Sequence, residues 1–396
     1  MKVKKCKWYN NAQAPVMFMI DDLANTWVDN NSNNELNLGE DWGYCCFQKN
    51  SMWDFLNTKL LNKYPYLKVT FFLVVGKRAN IIETNKKIYS ETIQENKNFR
   101  EFLIEINKNP NIEIAYHGLT HGITGISRTD FVEEWQSFKK INEAIETINI
   151  GREIYFNVLG EYPVGGKYCG YKYNDFSDDS INATDFKWWC RHWDANLESG
   201  NYENYNYDLE MFNNVVDIPS TIDGSYYSLK NIKYLFSKKY LKSVINKFIH
   251  GKTVEQVILD RVNAQQIISI QEHTSPYRAD KRIQYPNLIF DIENLHIIFN
   301  YLKRFDLWYA TGTEIANYFL VYENCKIENS NDSSFKVECD SRFEGYELTL
   351  SISGNFSGNY ISISYGDNKV KFEKIQNQFI GNIKVFDNML YKINEV

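Results

Sequence analysis

No stretch of this 396-residue chain offers the roughly 18 consecutive apolar residues that a membrane-spanning helix needs, so no bilayer span is expected. The opening residues, Met1-Lys-Val-Lys-Lys-Cys-Lys-Trp-Tyr9, carry positive charge with no apolar run behind it. That is not the pattern of a secretory signal, and a cytoplasmic location is the expectation. Concentrated basic segments are missing too. With 44 Lys plus Arg against 50 Asp plus Glu the formal net charge is -6, and a chain without a basic face has little to offer a phosphate backbone. Nucleic acid is therefore not an expected partner, whereas a neutral or weakly charged substrate is. Cysteine is sparse and unpatterned: there are seven, none in a Cys-x-x-Cys pair, with Cys45 and Cys46 adjacent and Cys169, Cys190, Cys325 and Cys339 far apart. This predicts reduced thiols rather than a disulfide framework or a structural zinc site. Histidine is scarcer still, at six residues.

What is abundant is aromatic surface, with 28 Tyr, 25 Phe and 9 Trp. Most of these rings are expected to pack a core, and the rest to line a sugar-binding cleft. The length predicts one large and one small domain.

From residue 16 to about 320, short apolar runs alternate with longer amphipathic ones, the pattern of strand–helix units around a parallel sheet or barrel. Residues 16–20, 69–75, 112–116 and 267–271 read as buried parallel strands. Phe131, Trp135, Phe138, Ile141, Ile145 and Ile148 recur at helical spacing, and Gly151 is read as the stop of that helix. Past residue 323 the pattern becomes a two-residue alternation punctuated by Gly-Asn and Gly-Asp-Asn turns, which predicts a small antiparallel β module, sandwich-like, over 323–396. The polar stretch 29–42 follows the first strand directly. It reads equally as a lid or as a solvated insertion.

The chemistry-bearing residues fall at the ends of these strands. The first ends in Asp21-Asp22. The third ends in His117, with His121 four residues on, so both imidazoles can converge on one point. A carboxylate with two histidines leaves open positions on a divalent cation, as needed to acidify water. A late strand ends in His273, a side chain suited to giving a proton to a leaving group. His250 and His296 read as structural.

At these residues the sequence resembles the polysaccharide deacetylases of the NodB homology type, carbohydrate esterase family four. Phe18-Met-Ile-Asp-Asp22 is similar to that family's first motif, Glu113-Ile-Ala-Tyr-His-Gly-Leu-Thr-His121 to its metal motif, the strand ending in His273 to its last motif, and Trp308-Tyr-Ala-Thr-Gly-Thr-Glu-Ile-Ala316 to its closing segment. The likeness runs in order from about residue 14 to 320. It implies a distorted (β/α) barrel over 1–322, in which Asp22, His117 and His121 hold zinc or a similar divalent metal. Asp21 is then the general base and His273 the acid. The family's arginine motif is replaced here by Glu161-Tyr-Pro-Val-Gly-Gly-Lys-Tyr-Cys-Gly-Tyr171, leaving Lys167, Arg191 or Arg278 as substitutes. Asp194, in Trp188-Trp-Cys-Arg-His-Trp-Asp194, is implied to orient His273. Contacts to a carbohydrate substrate are expected from Lys167, Tyr168, Tyr171, Trp193 and Arg278, with Tyr173, Trp188 and Trp189 as further platforms.

The resemblance implies removal of an acetyl group, N-acetyl before O-acetyl, from a sugar in a glycan or its precursor. Two other readings stay open. One is a glycoside hydrolase using carboxylates such as Glu161, Asp194 and Glu272. The other is a carbohydrate-binding protein with eroded catalysis.

Overall fold

In the computed structural model of the protein the described residues are 1–83, 87–193, 207–225, 252–278, 280, 282–331 and 333–395. Asp194 and His250 lie outside them.

The apolar runs become strands because their β-branched and aromatic residues bury both faces of a sheet. They are β1 (Ala14–Ala24), β2 (Val69–Val74), β3 (Ile112–Tyr116), β4 (Gly165–Lys167), β5 (Trp188–Cys190), β6 (Val215–Asp217), β7 (Ile222–Asp223) and β8 (Ile268–His273). In the sheet they lie in the order β6-β5-β4-β3-β2-β1-β8-β7, each neighbour parallel, with the strand Glu210–Phe212 added antiparallel at the β6 edge. The result is the expected α/β architecture, a curled half-barrel left open rather than closed. Every residue of β1 is buried, Asp21 and Asp22 included. Among the described residues no helix is long and apolar enough to cross a membrane.

One helix departs from its sequence reading. A short helix, Glu134–Ser137, is followed by three non-helical residues and then a long helix, Ile141–Leu159, which runs straight through Gly151. Gly151 is there for packing: a Cβ at this position would lie 2.1 Å from Tyr116 Oη. The stop is Gly160, whose φ of 77° is the left-handed cap that glycine adopts at no cost. Two more glycines make room for the core. A Cβ on Gly165 or Gly166 would run into the indole of Trp188 or Trp189, at 1.9 and 2.2 Å respectively.

The second compact unit comprises Met1–Pro15, Phe305–Trp308 and Glu314–Val396. It is all-antiparallel in its sheet, as the alternation predicts. Eight strands form one continuous sheet, curled until its end strands, Lys2–Lys5 and Lys326–Asn331, meet. Phe335, Val337, Leu350, Ile352, Ile363, Phe372 and Tyr391 fill it. The unit reaches beyond 323–396 because Lys2–Lys5 pairs with Glu347–Ser353, Val3 facing the core. A four-residue strand with one apolar residue shows no period in sequence.

Candidate active site

Parallel strands deliver their carboxyl ends to one rim, and that is where the polar residues collect. Asp21 and Asp22 sit near the end of β1, His117 directly after β3, Lys167 at the end of β4, and His273 at the end of β8. Register does the rest: His273 pairs with Asp21 across β8 and β1, and Tyr116 with Gly166 across β3 and β4. Asp21, Asp22, His117, His121, Tyr171, Trp193, His273 and Arg278 all line one cavity of about 170 Å3, so most of the residues expected to act together do meet.

The two aspartates are adjacent, yet they serve different partners. The pairing of β1 with β2 slips between Ile20 and Leu23, and Asp22 adopts a φ of 68°, a left-handed conformation that costs a non-glycine residue of order 1 kcal/mol. The bulge turns the Asp22 carboxylate toward the histidines. Its Oδ1 lies 3.0 Å from His121 Nε2 and 3.5 Å from His117 Nε2, is buried, and has no hydrogen bond. Its Oδ2 accepts from Arg78 Nη2 at 2.8 Å and from Gln284 Nε2 at 2.6 Å. Burial by itself would raise this carboxyl, but Arg78 and the two imidazoles outweigh it and hold Asp22 well below the ordinary carboxylate value.

Each imidazole is oriented from behind. His117 Nδ1 donates to the Lys167 carbonyl at 3.0 Å, which turns Nε2 toward Asp22 Oδ1. His121 Nδ1 lies 3.3 Å from Glu133 Oε2. Burial lowers the His121 pKa, yet Asp22 and Glu133 outweigh it and the net shift is upward. The site thus favours one positive charge at His121, supplied by a proton or by a cation. His121 also has a positive φ, 69°, and the turn bearing it is clamped: the buried Glu134 carboxylate accepts the backbone N–H of Leu119, Thr120 and His121 at 2.9, 2.7 and 2.8 Å. Gly118 lets that carboxylate approach, since a Cβ there would sit 2.6 Å from Glu134 Oε2.

His117, His121 and Cys169 each place a donor atom within 4.8 Å of the others and form one candidate set of three; Asp22 Oδ1, 3.0 and 3.5 Å from the two Nε2 atoms, is an alternative third donor. The two candidate third donors differ in chemistry. The Cys169 thiol donates to the His117 carbonyl at 3.1 Å, and burial, then Glu134, Glu133 and Asp22, push its pKa well up. Asp22 offers an ionised, unpartnered oxygen.

Asp21 faces the other way and meets Lys167, whose Nζ is 2.7 Å from Oδ2 and 2.9 Å from Oδ1. Of the three substitutes expected for the missing arginine, Lys167 is the one that reaches Asp21. Arg191 is taken up by Asp178 and Asp217, and Arg278 by Asp280. His273 donates Nδ1–H to the Pro286 carbonyl at 2.7 Å, which aims Nε2 into the cavity, 3.9 Å from Asp22 Oδ2. Burial lowers its pKa, with Asp22 and Asp21 opposing. The Pro286 carbonyl therefore orients His273; Asp194, to which that role was assigned, lies outside the described residues.

Other expectations need correction. Tyr168 is wholly buried among Trp135, Tyr173 and Trp189, and its hydroxyl donates to Asp178; it is core, not a substrate contact. Trp188 and Trp189 are likewise fully buried. Lys167 acts through Asp21 rather than lining the cavity. Tyr171 and Trp193 do form an aromatic wall, stacked at 5.7 Å between ring centroids, and Trp193 Nε1 is buried there without a hydrogen-bond partner. His296 bonds to Tyr64 on a helix away from the cavity, as a structural residue does. Sequence reasoning missed Arg78, Glu133, Glu134, Trp42 and Gln284. Only Arg78 carried a signal, four residues past the apolar run of β2.

Of the carboxylates expected of a glycoside hydrolase, Glu161 and Glu272 are not in the cavity, and Asp194 lies outside the described residues. Glu161 is exposed and bonded to Asn107. Glu272 is fully buried, and neither of its side-chain oxygens has a hydrogen-bond partner. Burial first, then Asp291 and Asp223, push its pKa well above the ordinary 4.5. A raised carboxyl keeps its proton in the fold and loses it in the unfolded chain, so folding stability falls as pH climbs past the unfolded value. Glu272→Gln removes that dependence. The variant should match wild type at pH 4 and exceed it increasingly above the unfolded value, by up to about 1.4 kcal/mol for each pH unit over which the fold still holds the proton. Urea melts across that range would show parallel curves if Glu272 were not the cause.

No family model matches the chain, and no curated protein matches it. Solved structures do. An allantoinase, PuuE, aligns over 79% of this chain and 92% of its own at 15% identity, with a TM-score of 0.43. A protein from Mycobacterium smegmatis described as a polysaccharide deacetylase aligns over 81% and 94% at 13% identity, TM-score 0.43. A family 4 acetyl xylan esterase from Clostridium thermocellum, solved with a cobalt ion, aligns over 76% and 89% at 13% identity, TM-score 0.34. At such scores the likeness carries no weight by itself, and the geometry of the site decides its reading.

Proposed function

We propose that this protein is a metal-dependent deacetylase that removes an acetyl group, N-acetyl in the first instance, from a sugar of a glycan or glycan precursor. The observation that carries the reading is the unpartnered, buried Asp22 Oδ1 with two imidazole Nε2 atoms at 3.0 and 3.5 Å. A buried acceptor without a donor is uncommon in native folds, and a divalent cation among Asp22, His117 and His121 would satisfy it. Asp22 is preferred to Cys169 because it is ionised without losing a proton. Nitrogen and oxygen donors with imidazoles oriented from behind suit zinc first. When bound, such a metal supplies Lewis acidity, acidifying water and polarising a carbonyl.

The chain's own residues supply the rest. Asp21, held by Lys167 and pointing away from the histidines, takes the proton of the attacking water. His273, with Nε2 turned into the cavity, gives a proton to the departing amine. Trp193 and Tyr171 offer an apolar wall and an indole N–H to the sugar ring.

Elemental analysis of wild type beside His117→Ala and His121→Ala, with acetate release from N-acetylated oligosaccharides measured with and without chelator, tests this. About one metal per chain, lost in both variants, and chelator-sensitive acetate release are expected. A wild type that takes up no zinc on soaking overturns the reading.

A further inference from the structure

We infer that the cavity mouth is built for a carboxylate carried by the same acetylated sugar, with Arg278 as its partner; this rests on the deacetylase reading of the site.

Five charged side chains line the cavity: Asp21, Asp22, Glu133, Arg78 and Arg278. Each carboxylate already has a partner, Asp21 in Lys167 at 2.7 Å, Asp22 in Arg78 at 2.8 Å, and Glu133 in His121 at 3.3 Å. Arg78 is engaged as well, its Nη2 on Asp22, its Nη1 on the Trp42 carbonyl at 2.5 Å and its guanidinium over the Trp42 ring at 4.2 Å, with its remaining donor, Nε, buried away from solvent. Arg278 is different. It donates from Nε and Nη2 to Asp280, at 3.2 and 2.9 Å, and no hydrogen bond from Nη1 to a described residue occupies the remainder of the fork.

The cluster around Arg278 is positive on balance. Asp280, whose side chain is fully buried, is shared by two guanidinium groups, Arg278 and Arg128, and also accepts the Arg282 N–H. Two positive groups against one negative leave a surplus of one. Burial opposes ionisation of Asp280, but Arg128 and Arg278 prevail and hold its pKa below the ordinary value, so the three-residue cluster stays charged. Asp280 locks Arg278 in place without neutralising the pair, and an ordered guanidinium with a free edge matches a carboxylate better than a lysine would. Size points the same way. A space of about 170 Å3 is smaller than the usual ligand pocket, so it admits the acetamido end of one sugar while the rest lies across the mouth.

The test is calorimetric binding of two methyl glycosides to the zinc-loaded full chain. One is N-acetylglucosamine, and the other is its C6 carboxylic acid, the same ring with one added carboxylate. Wild type should bind the acid about tenfold more tightly at low salt, with the preference shrinking as salt rises. Arg278→Gln should bring the acid to the neutral sugar's affinity, while Arg278→Lys should keep part of the preference. Equal affinities in wild type, an undiminished preference in Arg278→Gln, or no binding of the acid by wild type would each overturn the inference. The wild-type comparison decides the matter even where a variant loses its fold. Absence of acetate release from every sugar tried would instead sink the deacetylase reading, and is read in a separate assay.

Discussion

Replacing Lys167 with methionine should cost the fold about 3–5 kcal/mol, because it leaves the nearly buried Asp21 carboxylate without its charge partner. The pair is almost sealed, with Lys167 at 0% and Asp21 at 4% side-chain exposure. Nζ lies 4.5 Å from the Tyr171 ring and 5.1 Å from that of Phe72, and among the described residues Asp21 is the carboxylate it pairs with. The loss belongs to the broken pair rather than to the pair's intrinsic worth. A double variant, Asp21→Asn with Lys167→Met, removes both charges and should recover most of the stability, since apolar replacement of buried ion pairs is often neutral. Denaturant melts of the two single variants and the double one form the cycle. If Lys167→Met alone melts like wild type, Lys167 does not hold the charge of Asp21.

The adjacent aspartates should separate into two phenotypes. Asp21→Asn keeps the shape and removes the base, so kcat should fall by about 10²–10⁴-fold, the usual contribution of a positioned general base. Its metal content should stay at the wild-type value, because Asp21 faces Lys167 and not the imidazoles. Asp22→Asn should do the reverse at the binding step, losing metal at concentrations that saturate wild type. Elemental analysis and acetate release on the same preparations separate the two. An Asp21→Asn enzyme that keeps its rate would remove Asp21 from the chemistry, and one that loses its metal would make Asp21 a ligand.

How much of this was written locally can be judged residue by residue. The strands were legible because a buried parallel strand is apolar on both faces and short, and β1, β2, β3 and β8 fall within a few residues of their apolar runs. Asp21-Asp22, His117 and His273 were legible because each terminates such a run, and His121 because it stands four residues past His117. What could not be read is what depends on distant pairing. Lys167 meets Asp21 across 146 positions and Arg78 meets Asp22 across 56. Glu133 and Glu134 look like ordinary polar positions on a helix, and only the folded turn shows one behind His121 and the other beneath three backbone N–H groups. Tyr168 and Tyr171 are three residues apart in one aromatic stretch, and composition cannot say which is core and which is wall. Gly151 was read as a stop because a glycine that ends a helix and one that admits a neighbouring ring look alike in sequence.

The clamp at Glu134 bears on how occupancy and folding are coupled. In small domains held together by a metal, ligand placement and chain collapse are one event, and a chelator unfolds them. Here the turn from His117 to His121 is already fixed by a carboxylate with three donors of its own, inside a sheet with its own core. Order at the site is inherited from the scaffold, so an ion can come and go as a passenger of the fold rather than as one of its supports.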